Sequence, residues 1–211
     1  MTSGRFITIE GGEGAGKSTL LRGLAAALTQ AGIAALATRE PGGAPGAEEI
    51  RRLLVEGPPE RWDAESEALL MVAARRSHLR ETIWPALAAG RWVVCDRFAD
   101  STLAYQGYAG GVALADLETL HRFIAGDFAP DLTLVLDLPV AAGLARAASR
   151  PGGETRFERK DRDFHERLRQ GFLAIAQQAP RRCAVIDATA APEAVLAAAL
   201  AALRERLQAP L

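Results

Sequence analysis

The stretch Glu10–Gly11–Gly12–Glu13–Gly14–Ala15–Gly16–Lys17–Ser18 follows the apolar run Phe6–Ile9 and leads into leucines at positions 20, 21, 24 and 28. From Gly11 to Ser18 it matches G-x-x-x-x-G-K-[ST], with the strand before it and the helix after it that this pattern requires. Glycines at 11, 12, 14 and 16 let the backbone turn its N–H groups inward, and the start of a helix adds partial positive charge, so the segment is built to cradle phosphate. Lys17 is placed to neutralise the β- and γ-phosphates of a nucleotide, and the Ser18 hydroxyl to ligate Mg²⁺. Lysine is otherwise avoided in this chain, Lys160 being the second of two, so position 17 carries a specific demand for an amine. A phosphate cradle alone leaves kinases, GTPases and motors open.

Outward from this loop, short apolar runs recur at Ala34–Ala37, Trp92–Cys95, Leu132–Leu136 and Ala184–Ile186, each reading as a buried strand. Between them lie stretches with apolar residues at helical spacing, including Leu69, Leu70 and Val72, and later Val195, Leu196, Leu200 and Leu203. Connections of that length predict a parallel sheet covered on both faces, an α/β fold. Gly32, Gly90 and Pro192 punctuate the elements. The Pro41–Gly46 and Arg150–Thr155 stretches read as mobile loops within one domain spanning residues 1–211.

Twenty-five basic against 26 acidic residues leave a net charge of −1, so no overall field draws the chain to nucleic acid or to an anionic membrane. Cys95 and Cys183 form no spaced cluster of the kind a zinc site or disulfide framework needs, which points to a reducing, cytoplasmic setting. No apolar stretch reaches the roughly 18 residues of a membrane span, and Met1–Arg5 does not read as a secretory leader. An NKxD-type guanine-reading segment is absent, which argues against a signalling GTPase, and the length argues against most large ATPases. A small phosphotransferase is the expectation.

The third apolar run ends in Asp96–Arg97–Phe98, at the carboxyl edge where parallel sheets bind ligands, so Asp96 is expected to orient Mg²⁺ and Arg97 to clamp a phosphate. The second ends in Thr38–Arg39–Glu40–Pro41–Gly42–Gly43, presenting Arg39 and Glu40. These segments, with Asp100–Ser101–Thr102–Leu103–Ala104–Tyr105–Gln106–Gly107 and the phosphate loop, resemble the successive signatures of the bacterial thymidylate kinase (dTMP kinase) family. The likeness extends over nearly the whole chain.

That resemblance implies a P-loop nucleoside monophosphate kinase fold, with a five-stranded parallel sheet flanked by helices and a mobile arginine-bearing lid near residues 150–160. It implies transfer of the γ-phosphate of ATP to dTMP in dTTP biosynthesis, with Mg²⁺, in a cytoplasmic homodimer. By position, Gly11 to Thr19 would bind ATP, namely Gly11, Gly12, Glu13, Gly14, Ala15, Gly16, Lys17, Ser18 and Thr19. Ser18 and Asp96 would hold the metal. Arg97 and Arg51 would take the dTMP phosphate, Arg75, Thr102 and Gln106 the thymine edge, and Tyr105 the sugar, with Glu40 nearby. Two positions depart from the family pattern: Met71 stands where a phenylalanine often stacks on thymine, and Gly110 where many relatives have arginine.

The phosphate loop carries Glu13 where some family members carry arginine, so the resemblance passes the charge-neutralising role to the lid. Arg146, Arg150, Arg156, Arg159 and Arg162 flank Pro151–Glu154, and Arg156 is the expected catalytic lid residue beside Lys17 and Arg97. His78, His121 and His165 lack the spacing of a metal site or triad and are expected to be structural. Competing readings are another nucleoside monophosphate or deoxynucleoside kinase, and a nucleotide-regulated binding module without turnover.

Overall fold

The computed structural model describes residues 4–149 and 156–211. Five strands, β1 (Phe6–Gly11), β2 (Ala35–Arg39), β3 (Trp92–Asp96), β4 (Leu132–Asp137) and β5 (Cys183–Asp187), form one sheet in the order β2-β3-β1-β4-β5, with every pairing parallel. All six residues of β1 are buried, as expected of a central parallel strand, with the polar Thr8 and Glu10 buried among its apolar residues.

Helices cover both faces. Ile7 and Ile9 of β1 pack with Leu20, Leu24 and Leu28 of α1 (Lys17–Gln30), and the same cluster takes in Val195, Ala199 and Leu203 of the carboxyl-terminal helix Pro192–Leu207. Burying each such leucine stabilises the fold by about 2 kcal/mol. The alanine-rich end of the chain is thus a packed helix, as its leucine stripe predicts.

The opposite face carries α2 (Pro45–Val55), α3 (Ala64–His78), α4 (Trp84–Ala88), α5 (Ala99–Thr102), α6 (Leu114–Ala125), α7 (Val140–Ala148) and α8 (Arg162–Gln178), and α9 denotes Pro192–Leu207. Wider π-type turns, Leu79–Ile83 and Leu103–Ala109, continue α3 into α4 and extend α5. The second turn carries Tyr105 and Gln106 inward, both buried.

Two sequence expectations are corrected. Pro41–Gly46 is not a mobile loop: Pro41, Gly42 and Ala44 are buried, and Pro45 opens α2. Its backbone is tied down by Glu48, which accepts from Gly43 N at 2.8 Å, by Thr82 Oγ1, which donates to Gly43 O at 2.7 Å, and by Arg51, which donates to Pro41 O at 2.8 Å. On α3, Leu69 is 57% exposed and Leu70 half-buried, while Glu67, Arg75 and His78 are buried. The inward face of α3 is part core, with Val72 and Ala74 buried in apolar clusters, and part cavity wall, whose polar groups are buried because each has partners.

The phosphate loop is seated on α7 by a backbone-to-backbone contact. A Cβ at Gly14, whose φ is +68°, would lie 2.0 Å from Gly143 O, and a Cβ at Gly143 would lie 2.5 Å from Glu13 O. Glycine on both sides is what permits that approach. Arg150 to Thr155, the first part of the expected lid, lie outside the described residues.

Candidate active site

β1 and β3 are neighbours, with Ile9 opposite Asp96, so the phosphate loop and the Asp96–Arg97 step emerge side by side. They form the floor of a cavity of about 490 Å³ at the carboxyl edge of the sheet. Glu13 to Thr19, Glu40, Arg51, Met71, Arg75, Asp96, Arg97, Thr102, Tyr105 and Gln106 all line it. Of the residues nominated from sequence, Gly11, Gly12 and Arg156 do not. The two glycines lie beneath, their carbonyls accepting Lys17 Nζ at 3.1 and 2.7 Å.

Lys17 is 8% exposed, and burial, with Arg97 close by, lowers its pKa to about 8 against the pull of Glu13, Asp96 and Glu10. The neighbouring Ser18 Oγ donates to Asp96 Oδ2 at 2.9 Å. Two hard oxygen groups at the mouth of a phosphate loop suit Mg²⁺, which takes one or two protein oxygens and completes its shell with water and phosphate.

Arg97 adopts a left-handed backbone conformation, φ +71°. Its Nη1 donates to Gly11 O at 3.1 Å and Ser101 Oγ at 3.2 Å, and its Nη2 to Glu13 Oε1 at 3.1 Å. The guanidinium lies 4.9 Å from the centre of the Tyr105 ring, and the Tyr105 hydroxyl donates to the same Glu13 oxygen at 2.5 Å. Burial alone would raise the Glu13 carboxyl, but Arg97, then Lys17 and the Tyr105 hydrogen bond, outweigh it and hold the pKa at about 2. Glu13 is the leading carboxylate counter-charge for both floor cations, with Asp96 and Glu10 behind it.

Arg75, 2% exposed, donates from Nε to Glu40 Oε2 at 2.7 Å and from Nη2 to Phe98 O at 3.1 Å and Thr102 Oγ1 at 2.9 Å. Among the described residues its Nη1 has no acceptor. Glu40 also meets His78 Nδ1 at 3.1 Å, and His78 Nε2 meets Thr38 Oγ1 at 2.8 Å. Glu40 therefore acts on the cavity by fixing Arg75, and His78 is structural, as its lack of partner spacing suggests.

Arg156 is elsewhere. It is fully buried, with Nε on Leu54 O at 3.0 Å, Nη1 on Pro59 O at 2.8 Å and Nη2 on Glu67 Oε1 at 2.5 Å. In this conformation its guanidinium ties α2 to α3, and among the described residues the lid-side arginine that lines the cavity is Arg146 at the end of α7. Arg159 donates to Gly57 O. Arginine identity marked the lid, but which carbonyls each arginine would meet follows from tertiary contacts some 90 to 100 residues away in sequence.

Sequence reading missed Glu10, Ser101 and Glu67. Phe98 N and Ser101 Oγ donate to Glu10 at 2.7 and 2.5 Å, and Glu67 bridges Gln106 Nε2, at 2.9 Å, and Arg156. Glu67, Met71 and Arg75 are four apart on α3, a spacing that places all three on one face, and that is the signal by which Glu67 could have been found.

The thymidylate kinase family model matches residues 9–199. The chain belongs to the thymidylate kinase family. It is 54% identical over 207 residues to the thymidylate kinase of Caulobacter vibrioides, covering 98% of this chain and 99% of that protein. It is 56% identical over 210 residues to that of Rhodopseudomonas palustris strain TIE-1, covering 98% and 91%. The crystal structure of thymidylate kinase from Ehrlichia chaffeensis superposes with a TM-score of 0.80 at 33% identity, covering 95% of this chain and 99% of that one. The fold class expected from sequence, a P-loop kinase sheet flanked by helices, holds.

Burial, then the adjacent Asp100 charge, pushes the Glu10 carboxyl up to about 8 from 4.5. The folded state then holds a proton that the unfolded state releases between pH 4.5 and 8, so this group's contribution to stability declines as pH rises through that window. The slope is at most about 1.4 kcal/mol per pH unit. Glu10→Gln, which cannot titrate, should flatten the dependence of the denaturant midpoint on pH between 5 and 8. An unchanged slope would show that Glu10 is already ionised in the folded protein.

Proposed function

We propose that this enzyme transfers the γ-phosphate of ATP to dTMP, giving ADP and dTDP, with Mg²⁺ held at Ser18 and Asp96 and its remaining ligands supplied by phosphate and water. The observation that carries the reading is the juxtaposition of Lys17 and Arg97 across one carboxylate on the cavity floor, with Arg75 and Gln106 on its far wall. One end of the cavity suits two phosphate groups, and the other a hydrogen-bonding base.

Lys17 and the loop amides Gly11 to Thr19 take the ATP phosphates, and Arg97 and Arg51 the dTMP phosphate. Arg75, Thr102 and Gln106 face the thymine edge, Met71 supplies an apolar contact to the ring, and Tyr105 lies against the sugar. The acceptor is already an anion and needs no general base, so catalysis is positioning and charge neutralisation. ATP arriving at Lys17 and dTMP at Arg97 release both cations from Glu13.

The second cation for the transferring group is Arg146, which lines the cavity, rather than Arg156, whose guanidinium stays on Leu54 O, Pro59 O and Glu67. Single-turnover measurements separate the two. Arg146→Ala should slow phosphoryl transfer about 10- to 100-fold in a folded protein. Arg156→Ala should lower unfolding free energy by about 3–5 kcal/mol, since Glu67 loses its counter-charge. A stable Arg156→Ala whose chemical step is abolished would restore Arg156 to the catalytic role.

The primary test is ADP release over a panel of nucleoside monophosphates. dTMP should be the best acceptor, and Lys17→Met should lower turnover by about 10³-fold or more without unfolding. A better acceptor than dTMP would assign another nucleoside monophosphate kinase activity, and ATP binding without turnover would assign a binding module.

A homodimer through the face formed by α3 and α6 is also proposed. These helices pack on each other and expose Leu69 at 57% and Phe123 at 87%, a cost in water that a second copy removes. Sedimentation should give a dimer for the native chain and a monomer for Phe123→Glu with Leu69→Glu. A cytoplasmic setting is supported by the two free, buried cysteines, whose thiols burial pushes up, Cys183 to about 11.

A further inference from the structure

Gln106 is the one neutral amide on the base-facing wall, and an amide can present either an oxygen or an NH₂ group to a ligand. What decides between them is the group on its other side. Here that group is Glu67, 4% exposed, whose Oε2 accepts from Gln106 Nε2 at 2.9 Å. Glu67 is itself pinned: its Oε1 accepts from Arg156 Nη2 at 2.5 Å, while Arg156 donates from Nε to Leu54 O and from Nη1 to Pro59 O.

A carboxylate facing arginine only accepts, so Gln106 must give its NH₂ group to Glu67, which leaves its oxygen for the ligand. On the same wall Arg75 offers a donor, its Nη1, because Nε and Nη2 are taken by Glu40, Phe98 O and Thr102.

We propose that Glu67 is a positioning residue that sets the polarity of Gln106 and so makes the wall an acceptor–donor pair read by the N3–H and O4 of thymine or uracil and refused by cytosine. The inference rests on the dTMP reading of the site. Cytosine presents the reverse pattern, an amino group at C4 and a bare nitrogen at N3, and a fixed amide leaves both pairs mismatched.

The relay predicts an effect that loss of packing does not. In Glu67→Gln, Arg156 still demands an acceptor and takes the new amide's oxygen, which turns the NH₂ group of residue 67 toward Gln106. Gln106 must then turn its own oxygen to residue 67 and its NH₂ group to the ligand, which suits N3 of cytosine. In the double variant Glu67→Gln with Arg156→Met the buried charge is removed with its partner, and neither amide orientation is imposed.

The experiment measures kcat/KM for dTMP, dUMP and dCMP in the native protein, Glu67→Gln and the double variant, with thermal unfolding of each. The dTMP-to-dCMP ratio should be highest in the native protein, intermediate in the double variant and lowest, by about tenfold or more, in Glu67→Gln. The dTMP-to-dUMP ratio should stay within about twofold throughout, because both bases show the same edge to Gln106.

An equal loss on all three nucleotides, or a double variant no more selective than Glu67→Gln, would overturn the relay. If Glu67→Gln does not fold, the double variant carries the test, and a native-like dTMP-to-dCMP ratio in it would overturn the proposal. Calorimetric binding of the three nucleotides without ATP gives the same ratios independently of turnover. A native protein that selects dTMP in binding but fails to phosphorylate it counts against the activity reading alone.

Discussion

The Arg97 guanidinium, lodged between the carbonyl of Gly11, the Ser101 hydroxyl and the Glu13 carboxylate, is the contact on which the rest of the cavity depends. It locks the step after β3 to the loop after β1, two segments that the parallel register already brings level. The backbone reaches this position in a left-handed conformation, at a cost of about 1–2 kcal/mol for a side chain with a Cβ. Four polar and aromatic partners offset it. Around this anchor the loop amides, Lys17 and the Ser18–Asp96 pair acquire fixed positions before any ligand arrives.

The wall opposite is organised by buried carboxylates. Glu40 serves Arg75 and His78, Glu67 serves Arg156 and Gln106, and Glu10 serves the Phe98 amide and Ser101. Each acidic group uses both oxygens, which is the condition under which buried polar groups stabilise rather than disrupt a core. Asp100 extends this layer: Arg182 meets both its oxygens, at 2.6 and 3.0 Å, and donates to Thr133 as well. Charge lies beneath the cavity as well as around it, so the side chains facing ligand are held from behind.

The five strands were legible as short, mostly apolar runs, although only the three central ones are buried through most of their length and the edge strands β2 and β5 are partly exposed. Observed limits differ from those runs by only one or two residues at an end, as in Ala35–Arg39 against Ala34–Ala37. The phosphate loop was legible because its glycines and Lys17 serve one local geometry. What stayed hidden was set by long-range pairing. Leu69 fits an apolar stripe, yet of that stripe Val72 enters the core while Glu67 and Arg75 take the cavity side of α3, so the leucine faces out. Arg156 has the residue type a lid needs, but carbonyls at Leu54 and Pro59 capture it, and nothing near position 156 announces them.

The near-absence of lysine gives the buried amine of Lys17 a chemical identity of its own. An amine lowered to about 8 is substantially unprotonated in mildly alkaline solution, and only the free base attacks acyl, aldehyde or sulfonyl electrophiles. Lys160, the other lysine, stands 5.7 Å from the centre of the Phe164 ring, away from the phosphate loop. A small anionic aldehyde, drawn in by the same amides that receive phosphate, would find its one nearby side-chain amine at the floor of the cavity. Imine formation at that amine, with loss of water, would be blocked wherever phosphate already fills the floor of the cavity.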